Sequence, residues 1–257
     1  MPFTTSFHTR FPDYLADRLP VPERWTSAAT WAWLRRFHAP GAAVLAATPT
    51  LASELTTRGF ENVKLWPRGV DAELFHPRAS VNLNLPRPIF LTVGRLAVEK
   101  ISKRSSQLDL PGTKLVVGDG PARTTLARKF PEAVFIGSRH GEALAEAYAA
   151  ADVFVFPSRT DTFGLVLLEA LASGVPIAAF SAAAPRDVIG QAPVGVLDDD
   201  LRRACLGALE CSREDCRDFA LGMTWAASAR IFLDHVTQAV KSAREIAGTQ
   251  SLPPIPA

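Results

Sequence analysis

From Pro88 onward, short apolar runs alternate with stretches of helical pattern, and this alternation restricts the fold more than any other feature of the chain. The β-rich runs are Ile89–Val93, Lys114–Val117, Val134–Ile136, Val153–Phe156 and Val175–Ala179, with a weaker Gly195–Leu197. Between them lie candidate helices at Ala122–Lys129, Glu142–Ala150 and Phe163–Ser173, the last closed by Gly174. Strand and helix in strict alternation imply parallel pairing with crossover helices, hence a doubly wound α/β domain. Ligands of such sheets bind beyond the carboxyl ends of the strands. The residues with chemical promise fall at those ends.

Before Pro88 the pattern is thinner: helix-like Pro22–His38, a strand at Ala43–Ala47, a helix at Leu51–Arg58 and a strand at Val63–Trp66. Two strands do not make an independent sheet of useful stability. A further helix is expected from Thr224 toward Lys241, followed by an irregular Ser-Leu-Pro-Pro-Ile-Pro tail. A chain of 257 residues with 47% hydrophobic content can bury one large core or two modest ones. Its formal charge of +2 gives no general signal for a polyanion, so no nucleic acid is expected as a partner. No apolar run approaches bilayer length, and the start Met-Pro-Phe-Thr-Thr-Ser-Phe-His lacks the basic and apolar regions of a signal peptide, so a cytoplasmic location is expected. Cys205, Cys211 and Cys216 are odd in number and lack a paired metal-ligand spacing, which favours ordinary reduced thiols.

The densest motif is Pro157-Ser158-Arg159-Thr160-Asp161-Thr162-Phe163-Gly164-Leu165-Val166-Leu167-Leu168-Glu169, continuing to Pro176. It puts Asp161 in a turn before an apolar helix and Glu169 within that helix. At about 1.5 Å per helical residue, the two carboxylates lie roughly 10–12 Å apart along the axis, the reach from the sugar of a nucleotide-sugar to its ribose. Between them, the free N–H groups of the first helical turn can receive a diphosphate. For an isolated carboxylate pair the simpler reading is a solvated Glu169 and a capping Asp161. The length of the surrounding string favours a site.

This segment resembles the carboxylate–seven residues–carboxylate motif of retaining GT-B glycosyltransferases of family 4, and in detail their mannosyltransferase and sulfoquinovosyltransferase-like subgroup. The resemblance implies a GT-B architecture with one nearly complete Rossmann-like donor domain at residues 81–222. Residues 1–80 would then be the later half of an amino-terminal, acceptor-side Rossmann-like domain whose first half is absent. Residues 223–257 would be a carboxyl-terminal helix and tail bracing that domain. In the resembling enzymes Glu169 holds the ribose hydroxyls. Asp161 stands where most members carry Glu, one methylene longer, and orients the donor sugar, while the Phe163, Gly164 and Leu165 backbone receives the phosphates. Arg95 and Lys100, following Gly94 at the end of a strand, are two solvated cations by themselves; in the family these positions stabilise charge on the leaving diphosphate.

Gly118 and Gly120 in Val-Gly-Asp-Gly-Pro form a strand-to-helix turn that permits close backbone approach, and the resemblance puts that loop near the nucleotide. His8, in Ser-Phe-His-Thr-Arg, is a surface residue on its own, but resembles the amino-domain histidine that faces the donor sugar. Trp25, Trp31 and Trp33, with Arg35 and Arg36, read first as core packing and second as an interfacial face for peripheral membrane contact.

One stretch departs from the pattern. Ser102–Gln107 offers no apolar stripe where the first crossover helix belongs. Resembling sequences tend to read Lys-Asn-Ile-Glu-Ala-Phe-Leu there. Loss of one A from AAA-AAT-ATC-GAA-GCG-TTC-CTC yields Lys-Ile-Ser-Lys-Arg-Ser-Ser, the sequence from Lys100 to Ser106. A frameshift compensated near Gln107 is the expectation, and resequencing the locus decides it.

Taken together, the expected activity is transfer of a hexose, mannose by subgroup resemblance, from a GDP- or UDP-sugar to a glycan or glycolipid hydroxyl with retention of configuration. No metal or other cofactor is expected. The rival readings are a noncatalytic nucleotide-sugar-binding fragment or decayed gene product lacking its acceptor half, and an oxidoreductase on the same sheet, the latter lacking a GxGxxG that opens a helix.

Overall fold

The computed structural model describes residues 2–8, 23–78, 83–96 and 108–249. Lys100 and the frameshift-like stretch 101–107 lie outside the described residues. The chain divides into two compact units, Met1–Pro67 with Ala226–Ala257, and Arg68–Trp225.

The first unit opens with strand β1 (Thr4–Phe7), helix α1 (Glu23–His38), strand β2 (Ala43–Ala46), helix α2 (Pro49–Thr57) and strand β3 (Val63–Leu65). The strands form a parallel sheet in the order β1-β2-β3. Strand β1 has no counterpart in the sequence reading because Thr-Thr-Ser-Phe carries one apolar residue and no alternation; its register, Thr4 on Ala43 through Phe7 on Ala46, makes it a strand by pairing alone. Phe7 enters a core with Trp31, Leu34, Val44, Leu51, Leu55 and Phe60. It stacks on Trp31 at 5.8 Å, and Phe60 meets both rings edge-on. The aromatic helix is therefore divided: Trp31 is 7% exposed, whereas Trp33 is 60% exposed and stacks on exposed Phe37 at 5.5 Å. The Trp25 side chain lies outside the described residues.

The second unit holds β4 (Ile89–Val93), β5 (Thr113–Val117), α3 (Arg123–Lys129), β6 (Ala133–Gly137), α4 (Gly141–Ala150), β7 (Val153–Phe156), α5 (Leu165–Ala172), β8 (Ile177–Ala179), α6 (Ala183–Ile189), β9 (Gly195–Leu197), α7 (Leu201–Ala208) and α8 (Arg213–Leu221). Its six strands are parallel in the order β6-β5-β4-β7-β8-β9. Such a sheet is covered on both faces, which is why all four residues of Val-Phe-Val-Phe in β7 are buried. Phe90, Val153 and Val155 pack on one face with Leu201, Ala204, Cys205 and Ala208 of α7. On the other face, Tyr148 of α4 meets Phe154 at 5.6 Å, and α5 packs against β7, β8, α4 and α8. From β4 the chain winds outward through β5 to β6, returns to the far side of β4 as β7, then winds outward to β9. The direction reverses between β4 and β7, and a crevice at that point is where open α/β sheets take ligands.

The division between units differs from the expected boundaries at 80 and 222. Residues 68–78 belong with the second unit because Arg217 of α8 holds them: its guanidinium donates to the carbonyls of Ala72 (2.9 Å), Phe75 (2.7 Å) and, on α5, Ala172 (2.7 Å). The chain passes between units at Pro67–Arg68 and at Trp225–Ala226. Val70 bridges to Thr224, and a Cβ on Gly69 would come within 2.3 Å of the Trp225 nitrogen. Helix α9 (Trp225–Thr249) runs farther than the sequence pattern suggests. Within the first unit it is fastened to β3 and its exit. The Trp66 indole donates to the Ser228 carbonyl (3.1 Å), Ser228 Oγ donates to the Pro67 carbonyl (2.8 Å), and Phe232 packs 5.0 Å from Trp66.

Candidate functional site

In a parallel sheet every strand ends on the same edge. The loops after β4, β5, β6 and β7 therefore gather there, with the loops carrying Arg95 and Asp161 following the two strands that flank the switch point. The loop after β4 is held by the loop after β5. Gly94 N–H donates to the Val117 carbonyl (3.0 Å), Leu96 N–H to the Asp119 carbonyl (2.9 Å), and Ala122 N–H to the Leu96 carbonyl (3.1 Å). A Cβ on Gly118 would stand 2.0 Å from the Gly94 carbonyl oxygen, and one on Gly120 would stand 2.4 Å from that of Leu96. The close approach that these glycines permit is thus of one loop to the other, and it stiffens the backbone on which exposed Arg95 is carried.

Helix α5 begins at Leu165, two residues later than its apolar pattern implies, because Gly164 takes a left-handed conformation at the helix start, with φ of 82°. Phe163, buried, thus belongs to the turn and not to the helix. Gly164 has no side chain with which to cap, and Asp161, half-buried in the turn, is not the capping residue. The helix leads with the N–H groups of Leu165 and Val166, which lie too early to find intrahelical acceptors, and Leu165 is 42% exposed. Aligned peptide dipoles give such an end roughly half a positive charge. Beside it, the Arg159 guanidinium lies over the Phe180 ring at 3.9 Å and pairs with Asp199 at 3.2 Å, bracing the turn from Pro157 to Gly164.

Glu169 sits one turn farther along α5, half-buried. Its Oε2 accepts a hydrogen bond from the Tyr148 hydroxyl at 2.8 Å. Burial pushes the Glu169 carboxyl above its ordinary range, and the Tyr148 bond pulls it part of the way back. Burial, with the Glu169 charge nearby, drives the Tyr148 phenol well above its usual value, so it remains a donor at all working pH. Tyr148 escapes sequence reasoning because it lies 21 residues from Glu169 on another helix.

Arg95, Gly118, Gly120, Asp161, Phe163, Gly164, Leu165 and Glu169 therefore all belong to the second unit. Lys100 lies outside the described residues. His8 follows β1 in the first unit, exposed, its ring edge-on to Trp66 at 6.3 Å. Among the described residues, no group of three or more His, Cys, Asp and Glu is placed to hold a metal ion.

Residues 1–74 match the family model for glycosyltransferase family 4, and residues 87–210 match that for glycosyl transferases group 1. The chain belongs to the family 4 glycosyltransferases. This glycosyltransferase chain is 38% identical over 205 residues to a GDP-mannose-dependent alpha-mannosyltransferase of Mycobacterium tuberculosis, an alignment covering 77% of the chain and 53% of that protein. It is 34% identical to the sulfoquinovosyl transferase SQD2 of Arabidopsis thaliana, over 74% of the chain and 40% of that protein. Among solved structures, sucrose-phosphate synthase from Thermosynechococcus elongatus superimposes with a TM-score of 0.75 at 22% identity, covering 93% of the chain and 67% of that structure, a likeness of GT-B fold. The chain spans about half the length of the curated relatives it matches.

Proposed function

We propose that this chain carries the donor side of a retaining hexosyltransferase, moving mannose from a nucleoside-diphosphate sugar to a hydroxyl of a glycan or glycolipid. The observation that carries the reading is the amino end of α5: an uncapped, left-handed Gly164 start beside the β4/β7 switch point, with a half-buried carboxylate one turn along. A diphosphate accepts from the leading N–H groups of α5, and the ribose hydroxyls donate to Glu169. Asp161 accepts from a sugar hydroxyl. Arg95, with Lys100, balances the charge that grows on the phosphate as the bond to the anomeric carbon breaks and its electron pair passes to the phosphate oxygen. The acceptor oxygen forms the new bond on the same face, and its proton goes to the departing phosphate. No protein nucleophile takes part.

GDP-mannose is the donor favoured by the likeness to the GDP-mannose-dependent mycobacterial relative. His8 is assigned to the donor sugar on the strength of the family resemblance. The exposed Trp33–Phe37 pair beside Arg35 and Arg36 supports peripheral contact with a membrane bearing the acceptor. A cytoplasmic setting fits three cysteines that stand free in the fold, two of them with thiols pushed up to about 12 by burial.

Calorimetric titration with GDP-mannose, GDP-glucose and UDP-glucose, followed by a transfer assay on lipid and glycan acceptors, tests this. Binding of one donor together with transfer is the expected result. Binding without transfer would favour a noncatalytic nucleotide-sugar-binding role, and no binding of any donor would refute the reading.

A further inference from the structure

We infer that Tyr148 is a positioning residue for the nucleotide ribose, acting through the Glu169 carboxylate. The inference rests on the donor site proposed above and adds a residue that no motif marks. Tyr148 is fully buried, and its ring is fixed by Phe75 at 5.6 Å, edge-on, and by Phe154 at 5.6 Å. Its hydroxyl reaches Glu169 Oε2 at 2.8 Å, and among the described residues it is the one side chain that donates to this carboxylate. A glutamate side chain turns about three bonds. One fixed phenol donor on Oε2 selects a single arrangement and leaves Oε1 for a ligand hydroxyl. The same bond supports the ionised form, to which ribose hydroxyls donate, against the burial that disfavours it.

A buried tyrosine that simply filled space would matter equally for any nucleotide. One that acts through Glu169 matters for the ribose hydroxyls alone. This difference can be read with GDP and UDP, each titrated beside its 2′,3′-dideoxy counterpart, on the full chain and on Tyr148→Phe. The wild type should prefer the ribose form, and Tyr148→Phe should weaken that form by about tenfold while leaving the dideoxy nucleotide within about twofold. In a Glu169→Gln background the Tyr148→Phe change should no longer alter the ribose preference. Equal weakening of both nucleotides, or an unchanged preference, overturns the inference while leaving the donor site standing. Absence of any nucleotide binding to the wild type overturns both.

If Tyr148→Phe does not fold, the unmutated chain supplies the test. It contains two tyrosines, Tyr14 and Tyr148, so 3-fluorotyrosine labelling gives two fluorine resonances, assigned with Tyr14→Phe. The Tyr148 resonance should shift with GDP or UDP and stay still with the bound dideoxy form; equal shifts with both would contradict the assignment.

Discussion

Helices α5 and α7 each follow a strand of the same sheet, yet their amino ends are built in opposite ways. Asp200 caps α7: its Oδ1 accepts from the N–H groups of Arg202 (3.0 Å) and Arg203 (3.3 Å), so the end is closed by the protein's own negative charge. At α5 the corresponding position is Gly164, left-handed and without a capping side chain. Helices α3, α4 and α6, starting after Ala122, His140 and Ala182, likewise lack a side-chain cap. A closed end contributes stability and nothing more, whereas an open one forgoes about 1 kcal/mol and can receive an anion. Among the described residues, the helices following β5, β6, β7 and β8 start without a side-chain cap, and α7, following β9, is capped.

The largest expected effect comes from Glu169→Gln. Two ribose hydroxyls lose a charged acceptor, and nucleotide affinity should fall by about 10- to 100-fold in calorimetry. Stability should move the other way. The Glu169 carboxyl is raised by burial, so the fold favours its protonated form. Its stabilising contribution is complete below the ordinary glutamate value and is lost as pH rises through the raised value in the fold. Melts of wild type and Glu169→Gln between about pH 4 and pH 8 should therefore coincide at the acid end and separate in favour of the variant at neutral pH. A variant that is less stable at neutral pH would break this part of the comparison.

Gly164→Ala comes next. It forces a left-handed alanine, costing about 1–2 kcal/mol, and puts a methyl 3.0 Å from the Phe156 ring. Thermal denaturation should show lower stability, and calorimetry weaker diphosphate binding. Asp200→Ala at α7 should cost about 1 kcal/mol of stability with nucleotide affinity unchanged; an affinity change there would erase the distinction between the two ends. The smallest effect is expected at α8, where Ser212 Oγ accepts from Asp215 N–H at 3.1 Å. Chemical denaturation of Ser212→Ala should show a loss of about 0.5–1 kcal/mol, again without effect on binding.

Much of the second unit is legible in the sequence because strands such as β4 and β7 are apolar runs of β-branched and aromatic residues, and these two have the limits their composition implies. Helices α6, α7 and α8 carry no comparable signal. Ala183–Ile189 is seven residues with a proline inside, and Arg213–Leu221 is largely polar. The first unit is harder to read, since β1 exists only through its pairing with β2. At the site, the Asp161–Glu169 segment is contiguous and stands out in sequence, whereas the Tyr148 bond and the pressing of Gly118 against Gly94 join residues distant along the chain. The helix start two residues late has a local cause, the left-handed Gly164, which apolar periodicity does not register.

The central claim is that the open end of α5 receives a nucleoside diphosphate. Diffraction from crystals of the full chain grown with GDP or UDP tests it directly. A phosphate oxygen within hydrogen-bond distance of the Leu165 or Val166 N–H, with the ribose on Glu169, is the predicted result. A nucleotide bound elsewhere, with no phosphate at α5, would contradict it.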